Sequence, residues 1–269
     1  MAKKEKTAGK KIGFIPTMGA LHTGHIALVN RARAENDLVV CSIFVNPIQF
    51  NKAEDLRAYP RTLVNDLTRL EQAGCDVVFC PETEEIYPEP ETRAYDFGHL
   101  DKVMEGRFRK GHFNGVATVV HKLFDIVQPH RAYFGEKDFQ QLQVVRALVK
   151  KEGLDVDIVA CGTVREPDGL ALSSRNVRLT KFQREEAPRI YQALKMAKEM
   201  YPDHAMQAIR EKVIACVNKS PELKVEYFEI VWADNLLPVN TPEPGRKAVA
   251  CIAANAGPVR LIDNLALNS

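Results

Sequence analysis

The sequence predicts an α/β protein in which a five-stranded parallel sheet carries helices on both faces and a small α+β domain follows. Three observations lead to this prediction. Apolar runs alternate with amphipathic helical stretches as far as Cys161. The predicted strands are apolar on both faces, which is typical of a parallel sheet covered on both sides. The last third of the chain has closely spaced strand-like runs, which indicate a short antiparallel sheet.

The first domain follows from a regular succession of strand and helix patterns. In chain order, the predicted elements are a strand at Lys11–Pro16, a helix at His25–Asn36, a strand at Asp37–Val45, a helix at Thr62–Ala73, a strand at Asp76–Cys80, a helix opened by Asn114 and Gly115 and ending before Pro129, a strand at Arg131–Gly135, a helix at Phe139–Glu152 and a strand at Val156–Cys161. Thr62 is expected to cap the second helix, while Gly74 and Gly153 are expected to end the helices before them.

The second domain follows from a change of pattern near Gly162–Glu166. A charged helical region at Thr180–Tyr201 contains Pro188, which should divide it, and a helix is predicted at Ala205–Asn218. Three strand-like runs come next, at Lys224–Trp232, Lys247–Ala253 and Val259–Leu265. The sequence therefore predicts two domains, residues 1–163 and residues 164–269. The first is a Rossmann-like sheet, which binds ligands at the carboxyl ends of its strands.

Composition restricts the class of protein. The 269 residues carry a formal net charge of +2, which gives no reason to expect a nucleic-acid partner. The basic run Lys3–Lys11 is interrupted and has no apolar segment typical of a signal peptide behind it. The longest apolar run, Leu38–Val45, is far shorter than the ~20 residues of a membrane helix. We therefore expect a soluble cytoplasmic protein with no membrane partner.

Cysteine usage gives no sign of a metal site or a disulfide framework. The six cysteines form no C-x-x-C pair, and several lie in apolar runs. We expect them to be buried, reduced thiols. They are Cys41, Cys75, Cys80, Cys161, Cys216 and Cys251.

The segment "HTGH", His22–His25, lies where the first strand passes into the first helix. The first turn of a helix has unpaired backbone N–H groups and a partial positive charge, so it attracts anions. Gly24 would let a phosphate approach the backbone, and the two imidazoles would add donors. A phosphate site is the favoured interpretation. Two alternatives stay open at this point: ordinary polar residues at a helix start, and a metal site for which no third ligand is evident.

The motifs together resemble one enzyme family. The H-x-G-H pattern is similar to that of the nucleotidylyltransferase superfamily, which has a second motif after the fifth strand, here "LALSSRN" at Leu170–Asn176. The segments "PTMGALHTGH", "SIFVNPIQFN", "YPRT", "GHFNGVATVV", "FGEKDFQQL" and "TVREPDGLALSSRN" resemble the pantoate–β-alanine ligase family in the same order. The resemblance runs from Ile12 to the C-terminus.

The resemblance implies a two-step reaction. The carboxylate of (R)-pantoate would attack the α-phosphate of Mg-ATP and release pyrophosphate. The amine of β-alanine would then attack the pantoyl adenylate and give pantothenate and AMP. Negative charge spreads over the phosphates in the first step, and fixed cationic or N–H donors stabilise such a transition state. The resemblance also implies a homodimer and a C-terminal domain that closes over the ATP site.

The resemblance assigns site residues position by position. Catalysis would fall to His25, His22, Lys137 and Arg175. ATP would contact Met18, Gly19, Ala20, Leu21, His22, Thr23, Gly24, His25, Gly135, Glu136, Lys137, Asp138, Val164, Leu172, Ser173, Ser174 and Arg175. Pantoate would be held by Gln49 and Gln141, and β-alanine would lie near Gln49. Asp66 matches an acidic position near the magnesium, but it could equally be a solvated helix residue, so the magnesium ligands are left unassigned.

Two departures from the family pattern are visible. A helix usually precedes the first strand, whereas here about 11 polar residues do, so that helix is expected to be absent or replaced by a disordered tail. Leu172 stands where the family often has Met, a swap of similar volume.

Rival functions remain open. A related adenylyl or cytidylyl transferase would use a phosphate acceptor instead of a carboxylate. A non-catalytic nucleotide-binding protein would release no pyrophosphate. An aminoacyl-tRNA synthetase is disfavoured because no anticodon domain or basic RNA face is visible.

Overall fold

The computed structural model describes residue 6 and residues 9–268, which form two compact units. One unit comprises the chain up to Glu136 together with Gln140–Gly162. The other comprises Lys137–Phe139 and the chain from Thr163 onward. The sequence places Lys137–Phe139 in the first domain, whereas these residues group with the second unit. The expected tail before the first strand falls largely on residues 1–5, 7 and 8, which lie outside the described residues.

The first unit contains the predicted parallel sheet. Its strands are β1 (Ile12–Thr17), β2 (Leu38–Ile43), β3 (Val77–Phe79), β4 (Arg131–Gly135) and β5 (Asp157–Cys161). They pair in the order β3-β2-β1-β4-β5, and every pair is parallel. The strand order reverses between β1 and β4, so the segments that follow these two strands leave the same edge of the sheet side by side.

Helices cover both faces of this sheet, which confirms the predicted fold class. The helices are α1 (Thr23–Glu35), α2 (Ala53–Arg57), α3 (Leu63–Gln72), α4 (Thr83–Ile86), α5 (Met104–Phe108), α6 (His112–Val127) and α7 (Phe139–Glu152). Phe14 and Phe134 lie in one hydrophobic cluster with residues of α6 and α7. Ile15 and Tyr133 lie in a second cluster with residues of α1 and α3. Neighbouring strand residues thus point to opposite faces, and both faces are buried.

Several local predictions need correction. The long helix begins at His112 and not at Asn114, whose Oδ1 accepts a hydrogen bond from the Tyr95 N–H instead. Thr62 precedes α3 but does not cap it with its side chain; its hydroxyl bonds to the carboxylate of Asp66. The helices α2, α4 and α5 were not predicted, because four or five residues are too few to display a helical period.

The second unit is the predicted α+β arrangement. The helical region divides at Pro188 into α8 (Lys181–Glu186) and α9 (Arg189–Met200), and α10 (Met206–Asn218) follows. The strands β6 (Leu223–Trp232), β7 (Ala248–Ala256) and β8 (Val259–Ala266) form an antiparallel sheet in that order. Leu194, Ile209 and Phe228 are fully buried in the core between this sheet and the helices α9 and α10.

The cysteines are all free thiols, but they are less uniformly buried than the sequence suggests. Cys41 and Cys251 are buried, Cys80 is exposed and the other three are half-buried. Burial raises the pKa of the Cys41 thiol well above its usual range. From residue 9 to residue 268, no helix has the length and apolar character needed to cross a bilayer.

Candidate active site

The loop between β1 and α1 is held in a conformation that side chains rarely adopt. Gly19 has a φ of +77° and Ala20 a φ of +49°, both in the left-handed region. A Cβ at Gly19 would lie 3.0 Å from the Ile43 side chain and 3.1 Å from Oδ2 of Asp66, so glycine suits this position for space as well as for φ. Strain of this kind at a strand end is common in functional loops.

Asp66 holds this loop from the first turn of α3. Its Oδ2 accepts a hydrogen bond from the Ala20 N–H at 2.9 Å, and its Oδ1 accepts one from the Leu21 N–H at 2.8 Å. The Thr62 hydroxyl donates to Oδ1 at 3.1 Å. Asp66 is only 1% exposed, so it is not a solvated helix residue. The sequence does not reveal this role, because the hydrogen-bond partners of Asp66 are 45 or 46 positions away in the chain.

His22 and His25 form a reciprocal cap at the start of α1. Nδ1 of His22 accepts from the Gly24 N–H, and Nδ1 of His25 accepts from the His22 N–H, both at 3.2 Å. The ring centroids are 4.1 Å apart. Because each Nδ1 accepts a hydrogen bond, the ring proton of each neutral imidazole is on Nε2. The cap therefore fixes which nitrogen of each histidine is the donor.

Two N–H groups in the first turn of α1 have partners within the chain. From the sequence, both the unpaired N–H groups of the helix start and the two imidazoles are expected to donate to a phosphate. In the structure, the Gly24 N–H is bonded to the His22 ring, and the His25 N–H is bonded to the His22 carbonyl at 2.9 Å. The first-turn donors are thus partly used within the chain. Each neutral ring carries its proton on Nε2, and phosphate binding by this turn stays a prediction.

Gln49 lies close to the same loop, in a short 3₁₀ helix at Pro47–Gln49 that follows β2. Its Nε2 lies 3.0 Å from the sulfur of Met18, and its Oε1 accepts from Nδ2 of Asn46 at 3.0 Å. The structure thus brings together a residue predicted to bind ATP and one predicted to bind pantoate. Asn46 is 1% exposed and was not singled out from the sequence, although it lies in the quoted motif "SIFVNPIQFN".

Helix α6 supports the turn that carries Gln49. A ring nitrogen of His112, Nδ1, bonds to the Gln49 carbonyl at 2.9 Å. A Cβ at Gly115 would lie 2.6 Å from the Ile48 carbonyl oxygen, so only glycine permits this approach. Gln141 is half-buried in the first turn of α7, on a different element. In the described part of the chain, no hydrogen bond joins Gln141 to Gln49.

The predicted residues after β4 form a 3₁₀ turn. Gly135 ends the strand, and Glu136–Asp138 form the turn. Nζ of Lys137 lies 3.7 Å from Oδ1 of Asp138, and the carbonyl of Lys137 accepts from Nδ2 of Asn264 at 2.9 Å. This bond attaches Lys137 to β8, which belongs to the same unit.

The remaining predicted ATP residues lie close together within the second unit. The Leu172 N–H donates to the Val164 carbonyl at 3.0 Å, and the Arg175 N–H donates to the Ser173 hydroxyl at 3.3 Å. Ser174 lies between Ser173 and Arg175. Arg165, which was not singled out from the sequence, follows Val164 and pairs with Ala171 in an isolated antiparallel bridge.

Arg165 forms a bidentate ion pair with Asp263. The two nitrogen–oxygen distances are 2.6 and 2.9 Å, and the guanidinium lies 3.9 Å from the ring centroid of Tyr191. The fork of an arginine matches a carboxylate in this way, and the aromatic face adds a cation–π contact. The pair ties the segment after β5 to β8.

Comparison with known proteins places this chain in a family. The family model described as "Pantoate-beta-alanine ligase" matches residues 1–266. A pantothenate synthetase of Porphyromonas gingivalis is 52% identical over 260 residues, which cover 97% of this chain and 92% of that protein. One from Phocaeicola vulgatus is 53% identical over 261 residues, covering 97% and 93%.

Solved structures agree with these relatives. Pantothenate synthetase from Thermus thermophilus superposes with a TM-score of 0.91 at 47% identity, covering 96% of this chain and 94% of that one. The pantoate-beta-alanine ligase of Francisella tularensis, complexed with beta-gamma ATP and beta-alanine, has a TM-score of 0.82 at 37% identity, covering 97% and 91%. The chain belongs to the pantoate–β-alanine ligase family.

Proposed function

We propose that this protein condenses (R)-pantoate with β-alanine at the expense of ATP, through a pantoyl adenylate, and releases AMP and pyrophosphate. Family membership supports the substrates. The observation that carries the chemistry is the reciprocal cap of His22 and His25, which assigns the proton of both rings to Nε2. Two preorganised N–H donors on one helical turn suit a reaction that builds negative charge on phosphate oxygens.

The first step joins the pantoate carboxylate to the α-phosphorus of ATP. One carboxylate oxygen forms the new P–O bond, and the bond to the pyrophosphate oxygen breaks. His25 donates to the α-phosphate, with His22 beside it, and Lys137 and Arg175 offset the charge of the departing pyrophosphate. Gln49 and Gln141 orient pantoate. The other ATP contacts are the residues that the family resemblance assigns.

The second step needs the amine of β-alanine at the acyl carbon. The C–N bond forms as the C–O bond to the phosphate breaks, AMP leaves, and the amine loses a proton. Gln49 is the residue proposed to lie near β-alanine. Water must be kept from the mixed anhydride while it waits for the amine, because hydrolysis would waste the ATP.

Mg²⁺ is proposed as part of the Mg-ATP substrate. Magnesium typically keeps several waters and binds through substrate phosphates with one or two carboxylates, and not in a cage of protein ligands. In the part of the chain that the structure describes, no cluster of three or more His, Cys, Asp or Glu side chains is arranged for a metal. Which side chains, if any, approach the ion is left unassigned.

The direct test is to incubate the purified protein with Mg-ATP, (R)-pantoate and β-alanine. Pantothenate and AMP should appear in equal amounts. ATP cleavage that needs a phosphate-bearing acceptor would favour a related transferase, and ATP binding without cleavage would favour a binding protein. The homodimer and the cytoplasmic location are proposed on family grounds, and light scattering of the purified protein tests the first.

A further inference from the structure

We propose that the backbone carbonyl of Gly115 fixes the orientation of the Asn46 side-chain amide. Asn46 in turn fixes whether the NH₂ group or the oxygen of the Gln49 side-chain amide faces the ligand. Asn46 is thus a positioning residue that makes Gln49 a hydrogen-bond donor to pantoate. The inference rests on the proposed function, because it takes Gln49 as a ligand of pantoate.

The orientation of the Asn46 side-chain amide is fixed by the Gly115 carbonyl, which can only accept a hydrogen bond. A carbonyl oxygen only accepts hydrogen bonds, and the Gly115 oxygen lies 3.1 Å from Nδ2 of Asn46. The opposite end, Oδ1, accepts from the Tyr87 hydroxyl at 2.8 Å. A reversed amide would set two carbonyl oxygens against each other at a site that is 1% exposed, and burying such an unpaired group is costly.

Asn46 passes this orientation to Gln49. Nδ2 of Asn46 has a second hydrogen, and it donates to Oε1 of Gln49 at 3.0 Å. Nε2 of Gln49 must then lie at the opposite end, where it contacts the Met18 sulfur at 3.0 Å. A thioether is a weak acceptor, so a carboxylate or hydroxyl oxygen of a ligand would compete for these N–H groups easily.

Contacts with α6 hold the backbone of the turn that carries Gln49. Arg109 only donates, and its Nη1 lies 3.0 Å from Nε2 of His112, so Nε2 accepts. Nδ1 of His112 therefore carries the proton and donates to the Gln49 carbonyl. Gly115 also packs closely against the Ile48 carbonyl, so neighbouring residues of α6 contact the carbonyls of both Ile48 and Gln49.

The decisive variants replace an amide NH₂ donor by a carboxylate oxygen and change the shape of the side chain little. In Asn46→Asp, the side chain no longer donates to Gln49, so the Gln49 amide should reverse and present oxygen to pantoate. Gln49→Glu presents oxygen at the same place directly. Each should raise KM for pantoate by about 10- to 100-fold, the effect of losing one hydrogen bond to a charged group, and change KM for ATP less than about 2-fold.

Tyr87→Phe is the matched control. It removes a hydrogen bond to Asn46 but leaves the Gly115 anchor, so KM for pantoate should change less than about 3-fold. If Tyr87→Phe raises KM for pantoate as much as Asn46→Asp does, the tyrosine and not Gly115 fixes the orientation of the Asn46 amide. That result would overturn the inference. A folded Asn46→Asp variant with wild-type KM, beside an impaired Gln49→Glu, would overturn it while leaving the proposed function intact.

Two further measurements separate the inference from the proposed function. Wild-type pantoate kinetics in both Gln49→Ala and Gln49→Glu would show that Gln49 does not bind pantoate and would reject the assignment itself. The second measurement needs no variant and no substrate. In wild-type protein labelled at glutamine amides and methionine methyls, NMR should show NOEs between the Gln49 NH₂ and the Met18 methyl. NOEs from that NH₂ to the Asn46 side chain, with none to Met18, would show that the Gln49 amide has the opposite orientation. That result would overturn the inference even if Asn46→Asp fails to fold.

Discussion

At the level of single residues, His25 has two roles, and a substitution that removes the whole ring affects both of them. Its Nδ1 caps the helix, and its Nε2–H is the proposed donor to the α-phosphate. We expect His25→Ala to lower the adenylation rate by roughly 10²–10³, as other losses of one preorganised donor do. The same change should cost about 1 kcal/mol of unfolding free energy, because the His22 N–H loses its acceptor. Single-turnover kinetics and urea unfolding measure the two effects.

His25→Asn separates these roles. The asparagine oxygen is bonded to Cγ, as Nδ1 of the histidine is, so it can replace Nδ1 as the acceptor of the His22 N–H. The asparagine side chain supplies no donor at the position of Nε2. Stability should return to near wild type while the rate stays low. A rate that recovers together with stability would mean that His25 acts only through the helix cap.

Asp66 is expected to matter through the loop that it holds. In Asp66→Asn, the NH₂ group would face either the Ala20 or the Leu21 N–H, so one buried donor loses its acceptor. We expect a loss of about 1–3 kcal/mol in unfolding free energy and a higher KM for ATP. Thr62→Val is the control, because it leaves both loop bonds in place. Equal effects in the two variants would contradict a specific role for the loop bonds.

At the level of elements, Gly115 is a helical glycine at which alanine is expected to destabilise the protein. Replacing glycine by alanine inside a helix normally stabilises it by up to about 1 kcal/mol. In α6, the new Cβ would lie 2.6 Å from the Ile48 carbonyl oxygen, so the helix or the Gln49 turn must move. Gly115→Ala should therefore destabilise the protein by about 1–3 kcal/mol, as overpacking does, and raise KM for pantoate. Urea unfolding that shows stabilisation would contradict this close approach.

The junction of β1 and β4 should make stability sensitive to pH. Nδ1 of His130 accepts a hydrogen bond from the Ile12 N–H at 2.9 Å. Burial lowers the pKa of His130 below its usual 6.5, Lys6 and Lys11 act in the same direction, and Asp155 opposes them. The unfolded chain therefore takes up the proton more readily. This contribution to stability is present above about pH 6.5 and is lost as the pH falls below that value.

Urea unfolding of wild type and His130→Gln at about pH 7.5 and about pH 5.5, on either side of the ordinary histidine pKa, tests this point. Glutamine offers an acceptor oxygen but does not titrate. The wild type should lose more stability than the variant between the two pH values. Equal losses would assign the pH dependence to other groups.

Helices and strands were predictable where the hydrophobic pattern was long or where a glycine or proline marked the end of the element. The helix at Phe139–Glu152 and the strand at Arg131–Gly135 have the predicted bounds. Gly74, with a φ of +74°, ends α3 as expected. The start of α6 was misplaced because Asn114, a typical capping residue, serves a distant backbone N–H instead. Local propensity cannot reveal a partner brought close only by the fold.

At the scale of the whole molecule, the motifs indicated the family, because several segments matched in one order along most of the chain. They did not reveal the hydrogen bonds behind the site. The contacts of Asp66 with Leu21, of Asn46 with Gly115 and of Asn264 with Lys137 span 45, 69 and 127 positions. A sequence without an alignment places such residues in motifs but cannot pair them.

The order of events in the whole reaction is open to a direct test. Every residue proposed for the first step acts on ATP or pantoate, and none requires the amine, so adenylation should not wait for β-alanine. Pantoate and Mg-ATP alone should support exchange of labelled pyrophosphate into ATP. Without amine, net pyrophosphate release should stop near one equivalent per site, because we expect the anhydride to be kept from water. β-Alanine should then restart turnover and release AMP. Exchange that appears only with β-alanine present would rule out this order, and exchange without pantoate would indicate a different acceptor.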